Sequence, residues 1–165
     1  MTSVASGAAR RLAVFAVASE PGNERVALAR VAEAVAGTGL ADKRLDRLKT
    51  AVAEATMNAI EHGNLNRPEI PVDIEVTQVG TDIVVTITDQ GGARAPTGPA
   101  EQPDLARKLA GEQSARGWGL FLIRNMVDAM DVTTEGTRHT VRLTMAAIPD
   151  KAAIPDKGAT REHDL

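Results

Sequence analysis

Residues 51–63 read AVAEATMNAIEHG, and Glu54, Asn58 and His62 recur within them at four-residue spacing. On an α-helix, residues four apart share one side and drift slowly around the axis. Leu45, Leu48, Val52, Ala55, Ala59 and Ile60 fall on the opposite side as an apolar stripe. The stretch therefore predicts one helix that buries a face and presents a carboxylate, a carboxamide and an imidazole in a row. A carboxylate can orient or deprotonate a nucleophile, and an amide oxygen can ligate a hard cation such as Mg²⁺. The same row also suits a solvated helix face, and the spacing alone does not separate the two readings.

Working outward, Asp42 is a good N-cap for this helix over 43–62, and Gly63 stops it. Upstream, 24–36 (ERVALARVAEAVA) repeats apolar positions at helical intervals through Val26, Ala29, Val31, Ala32 and Val35. Before it lies a strand over 10–18. Arg10 and Arg11 ahead of the apolar run Leu12 to Ala18 imitate a short secretory signal. The run is short, Glu20-Pro21-Gly22 follows at once, and Val14, Phe15 and Val17 suit a strand, which is the reading adopted. Downstream, 70–79 (IPVDIEVTQV) and 82–89 (DIVVTITD) alternate as a hairpin around Gly80-Thr81. Residues 90–104 are rich in Gly and Pro, with a short helix near 104–110. A further helix is expected over 117–129, and strands over 131–135 and 138–146 with a turn at Gly136.

The order β-α-α-β-β-lid-α-β-β predicts an α+β fold, a two-layer α/β sandwich with helices on one face of a mixed, mostly antiparallel sheet. The predicted domain spans 10–146. Residues 1–9 are small and polar, and 147–165 continue the tandem AAIPDK units that begin at Ala146; both ends are expected to be disordered.

Composition narrows the function. The 165 residues carry a net charge of −3, which argues against the broad positive field of a nucleic-acid binder. The chain has no cysteine, which removes thiolate chemistry and suits a reducing cytoplasm. No segment approaches the length needed to span a membrane. With only 2% aromatic residues, the core must be built from Ala, Val, Leu and Ile.

Two more motifs carry chemistry. Asp89 ends a strand before Gln90, Gly91 and Gly92, where an acid can accept from a ligand amino group and glycine admits close backbone approach. By itself this is also a plain turn. Arg116-Gly117-Trp118-Gly119-Leu120 opens a helix, and its glycines can bring backbone N–H groups and the positive helix end against phosphate. Such glycines also occur for ordinary reasons.

Taken in this order, EATMNAIEHG, TDQGG and RGWGLFLIRNMVD resemble the boxes of the GHKL (Bergerat) nucleotide-binding fold shared by histidine kinases, Hsp90, DNA gyrase and MutL. They look most like the small bacterial anti-sigma factors that act as serine kinases, of the RsbW and SpoIIAB type, with the likeness covering residues 10–146. The resemblance implies ATP or ADP and Mg²⁺ as cofactors. It implies Glu54 as general base and Asn58 as Mg²⁺ ligand. Asn58, His62, Asp89, Gly91, Gly92, Arg116, Gly117, Trp118, Gly119, Leu120 and Thr140 are the implied nucleotide residues. Among these, Asp89 would meet the adenine amino group, and a structural hydrogen bond is the expected duty of His62. The implied partners are an RNA polymerase sigma factor and a STAS-domain anti-anti-sigma factor, with a homodimer allowed. Ala93 departs from the family's second glycine, which puts the register of the lid in doubt. The alternative is an ATP-binding regulatory module that docks protein partners and transfers no phosphate.

Overall fold

A computed structural model describes residues 8–91 and 115–147. Strand β1 (Ala9–Ala18) is followed by helices α1 (Glu24–Val35) and α2 (Asp42–Asn58), and one wide π-helical turn (Ala59–Gly63) extends α2. Strands β2 (Pro71–Val79) and β3 (Asp82–Asp89) come next, then helix α3 (Ala115–Met126) and strands β4 (Ala129–Glu135) and β5 (Arg138–Ala146). The strands form one sheet in the order β1-β2-β3-β5-β4, and its four pairings are all antiparallel. The expected two-layer α+β architecture is present. The short helix near 104–110, the tail and Ala93 lie outside the described residues.

The sheet forms because its strands alternate. Val72, Ile74 and Val76 of β2, Ile83, Val85 and Ile87 of β3, and Val141, Leu143 and Met145 of β5 are buried on one face. The β2–β3 loop holds only Gly80 and Thr81 between the paired Val79 and Asp82. Gly80 takes φ +62°, a conformation that a two-residue hairpin loop demands and a Cβ disfavours.

Helix α2 covers this apolar face with the predicted stripe: Leu48, Val52, Ala55, Ala59 and Ile60 are buried, and Leu45 packs at the margin. Ala51 joins them, so small side chains let the helix lie close to the sheet. Helix α1 turns differently from the predicted pattern. Ala27, Val31 and Val35 are buried, whereas Val26 is 47% exposed and Ala29 faces out. The Ala-rich sequence offered several equivalent stripes, and packing against β1 and α2 selects among them. Asp42 is likewise the first helical residue rather than the cap; Ala41 holds the cap position without a side-chain bond. There the acid still favours the positive helix end.

One polar clamp fastens the far end of the sheet to α2. Arg44 donates from Nε to the carbonyl of Ala146 at 2.6 Å and pairs with Asp128, which also accepts the Ala146 N–H at 2.7 Å. Burial alone would raise the Asp128 carboxyl, but the Ala146 N–H and the Arg44 guanidinium outweigh it and hold it below the usual carboxylate range. A lowered folded-state value means stability that is present above the unfolded carboxylate value and lost as pH falls through the folded one. The Asp128 side chain is 45% exposed, so solvent screening keeps the effect small. Asp128→Asn should cost about 0.5 kcal/mol at pH 7, and the difference from the unmodified chain should shrink as pH falls below the usual carboxylate range. Urea melts at neutral pH and over a falling pH series measure both.

Candidate functional site

The first motif is delivered by the end of α2 and by the π turn. The N–H of Asn64 donates to the carbonyl of Ala59 at 2.8 Å, the bond five residues back that widens the turn. Asn64 is then buried, and its carboxamide ties three segments together. Its Nδ2 donates to Ser19 Oγ at 3.0 Å and to the carbonyl of Pro71 at 3.2 Å, and its Oδ1 accepts the Gln90 N–H at 2.8 Å. The residues just beyond α2 are thereby locked to the residues just beyond Asp89.

Asp89 is buried at the end of β3. Its Oδ1 accepts the Gly91 N–H at 2.9 Å, and its Oδ2 lies 3.3 Å from Nδ1 of His139, its register partner on β5. Gly63 backs this carboxylate so tightly that a Cβ on Gly63 would sit 2.3–2.6 Å from the Asp89 carboxyl atoms. A Cβ on Gly91 would fall 1.8 Å from the Gly63 carbonyl oxygen. Gly63 was expected only to stop a helix; close approach is what requires it.

Asn58, Asp89, Leu120 and His139 line one narrow pocket with the apolar Ala55, Ala59, Ile87, Ile123 and Val141, and its cavity volume is about 10 Å³. That is room for about one water. Among the described residues, the buried Nδ2 of Asn58 has no hydrogen-bond partner. Gly119 closes over Asn58: a Cβ on it would meet Asn58 Nδ2 at 3.1 Å and Glu54 Oε1 at 3.3 Å. Glu54 opens to the other side, into a groove shared with Leu28, Asp46, Lys49, Met57 and Leu122.

The structure thus gathers Glu54, Asn58, Asp89, Gly91, Gly119 and Leu120. His62 is not among the residues that line the pocket; it sits on the π turn, which breaks the four-residue row. Thr140 is directed away. Its hydroxyl lies 3.0 Å from that of Thr88, its register partner, whereas the alternate residues His139 and Val141 face the pocket. Thr88 shares the opposite sheet face with Val14, Glu75, Thr86 and Arg138. Arg116, Gly117 and Trp118 lie in the first turn of α3, and Gly92 lies outside the described residues. Sequence reasoning missed His139 and Asn64. The former was detectable, because His139 stands two residues before Val141 and so shares its face.

A family model described as a histidine kinase-like ATPase domain matches residues 17–145. The chain belongs to the histidine kinase-like ATPase family. Its relatives there include the anti-sigma F factor of Oceanobacillus iheyensis, 36% identical over 121 residues that cover 72% of this chain and 81% of that protein. The anti-sigma F factor of Bacillus subtilis is 33% identical over 133 residues, covering 79% and 88%. Among solved structures, the RsbU and RsbW domains of a Mycobacterium tuberculosis protein match with a TM-score of 0.57 at 16% identity, over 81% of this chain and 32% of that one. The chain therefore spans about a third of that structure. The SiaB–SiaC complex of Pseudomonas aeruginosa matches with a TM-score of 0.56 at 15% identity, over 82% of this chain and 90% of that one. These two likenesses concern the fold.

For a histidine kinase-like ATPase domain, the ligand is ATP or ADP, and the pocket's donor set fits it. Asn58 lines the pocket with an amide whose oxygen is of the kind that ligates a hard cation, and Asp89 offers an acceptor to an amino group. Among the described residues, no three His, Cys, Asp or Glu side chains cluster to hold a metal. One amide oxygen suits Mg²⁺ only when phosphates and waters complete its shell. No helix among these residues is long and apolar enough to cross a membrane.

Gly63→Ala should cost about 1–3 kcal/mol, because its Cβ meets a buried carboxylate that cannot retreat. Gly119→Ala meets side-chain ends that can give way and should cost under about 1 kcal/mol. Chemical denaturation of the two variants tests that ranking.

Proposed function

We propose that this chain is an anti-sigma regulatory factor with ATP-dependent serine/threonine protein kinase activity. It sequesters an RNA polymerase sigma factor and phosphorylates a STAS-type anti-anti-sigma partner. The names of its relatives support the first part. One observation carries the second: Glu54 and Asn58 stand side by side against Gly119, yet face different spaces, Asn58 the pocket and Glu54 the groove. A kinase needs that division, since nucleotide and acceptor must approach one point from two sides.

Bound ATP with Mg²⁺ supplies the phosphoryl group and neutralises its developing charge. Asp89 holds the base end through a hydrogen bond to its amino group, with Gly91 beside it, and the oxygen of Asn58 holds the metal. Gly117 and Gly119 bring the start of α3 against the phosphates. Glu54 accepts the proton of a serine or threonine hydroxyl presented through the groove between α1, α2 and α3. A phosphate on the partner adds charge at the interface and releases it, which leaves the regulator free to hold sigma.

Calorimetry of ATP and ADP should show binding that requires Mg²⁺, whereas Mg²⁺ alone gives no heat. Asp89→Asn should weaken binding by about tenfold, and Asn58→Ala should abolish the metal dependence. Glu54→Ala should keep nucleotide and partner binding but lower transfer from γ-labelled ATP by about a hundredfold or more. Nucleotide binding without any transfer by the unmodified chain would leave a docking module that uses ATP as a switch. No binding at millimolar nucleotide would remove both readings.

A further inference from the structure

The groove that holds Glu54 is lined from three helices, and its lining divides in two. Asp46, Lys49 and Thr50 of α2 make a polar half, whereas Leu28 of α1, Ala53 and Met57 of α2 and Leu122 of α3 make an apolar one. Along α2 the polar residues come first, and Glu54 falls in the apolar half, between Ala53 and Met57. The cavity measures about 610 Å³, a volume that admits several side chains. Ala53 has the smallest side chain of the lining and adjoins Glu54, so a methyl group sets the room beside the carboxylate. Leu122 is 37% exposed, and its apolar surface is open to an incoming chain. Asp46 and Lys49 carry opposite charges three residues apart on one helix face, and Asp46 is exposed. Solvent screening leaves such a pair little net charge for a passing segment to read. Selection by this groove is therefore apolar.

We infer that the apolar half is a specificity subsite for the phosphoacceptor: it takes one aliphatic side chain of leucine size, carried within two residues of the serine or threonine that is phosphorylated. The inference rests on the kinase reading of Glu54. In that reaction the acceptor oxygen bonds the γ-phosphorus, the bond from that phosphorus to the β–γ bridging oxygen breaks, ADP leaves, and the acceptor proton passes to Glu54. The hydroxyl must therefore come within hydrogen-bond reach of Glu54. Ala53 and Met57 lie about 1.5 and 4.5 Å from Glu54 along the helix axis. An extended chain advances about 3.3 Å per residue. A segment that brings its hydroxyl to Glu54 thus lays its nearest neighbours over Ala53 and Met57, with Leu28 on the α1 side and Leu122 on the α3 side. Taking an aliphatic side chain out of water there adds affinity that glycine or a charged residue cannot supply. The four apolar residues touch the acceptor segment rather than the reacting atoms, and they set which segment is accepted.

The test is transfer from γ-labelled ATP with Mg²⁺ to synthetic serine peptides by the full chain and two variants. The peptides place leucine, phenylalanine, alanine or aspartate in turn at each position from two before the serine to two after it. Ala53→Leu fills the subsite and Leu122→Ala enlarges it, while Glu54 and Asn58 are untouched. The unmodified chain should favour leucine over alanine at one of these positions by about tenfold in kcat/KM. Ala53→Leu should remove that preference, and Leu122→Ala should move it toward phenylalanine. Equal kcat/KM for the leucine and alanine peptides overturns the inference and leaves the kinase reading standing. So does a leucine preference that survives in Ala53→Leu. Labelling of no peptide also overturns the inference. Mg²⁺-dependent ATP binding by the same preparation then keeps the kinase reading, and absence of binding removes both.

Discussion

The backbone of Gly63 lies against Asp89 and Gly91 with no room for a side chain between them. Everything that makes the pocket follows from that contact. It brings the end of α2 to the end of β3, two segments that the chain separates by a loop and a hairpin. It buries the Asp89 carboxylate while leaving Oδ2 on the pocket side beside His139. The turn that makes the approach is π-helical, and widening one turn there shifts Gly63 without disturbing the α-helical run that holds Glu54 and Asn58. Asn64 then locks the arrangement, since the four hydrogen-bond partners of its carboxamide lie on three other stretches of chain.

A contact this close is possible only if the layers themselves sit close, and composition provides for that. The helical side of the core uses Ala27, Ala51, Ala55 and Ala59 where longer side chains would push α1 and α2 off the sheet. Phe15 is the exception; it is buried on β1 under the Arg30 guanidinium, 4.4 Å from its ring centre. Close packing of small groups makes the interior unforgiving of added volume. Strictness therefore extends from the glycines of the pocket into the alanines behind it.

Much of this was legible in the sequence because it is periodic. The α2 stripe through Leu48, Val52, Ala55 and Ile60, the β2–β3 hairpin and the α+β order are all patterns that one face of burial imposes. Glu54, Asn58 and Asp89 stood out as candidates at a helix row and a strand end, but those patterns alone also suit a solvated face and a plain turn; the likeness to the nucleotide-binding boxes is what gave them roles. What was hidden depends on distances between segments. Nothing local distinguishes a helix-stopping Gly63 from one pressed against a carboxylate, or Asn64 in a loop from Asn64 as a buried clamp. The buried face of helix α1 was read correctly at Val31 and Val35 but not at Val26 and Ala29, because its alanines dilute the amphipathic signal. Thr140 and His139 form an intermediate case. The alternation of Val141, Leu143 and Met145 already assigns His139 to the core face and Thr140 to the other, so strand period outweighs the likeness that favoured Thr140.

Glu54 and Asn58 are one turn apart on α2, about 6 Å along its axis. That spacing is enough to put them on two sides of a boundary, and Gly119 of α3 is the boundary. Because Gly119 has no side chain, it fits between both groups: an added Cβ would lie 3.1 Å from Asn58 Nδ2 and 3.3 Å from Glu54 Oε1. The far half of α3 is anchored in the core by Ile123, with Val127 buried just past its end, so its first turn is held against α2 from one end. The two groups, one lining the pocket and one lining the groove, therefore have a single glycine as their common neighbour.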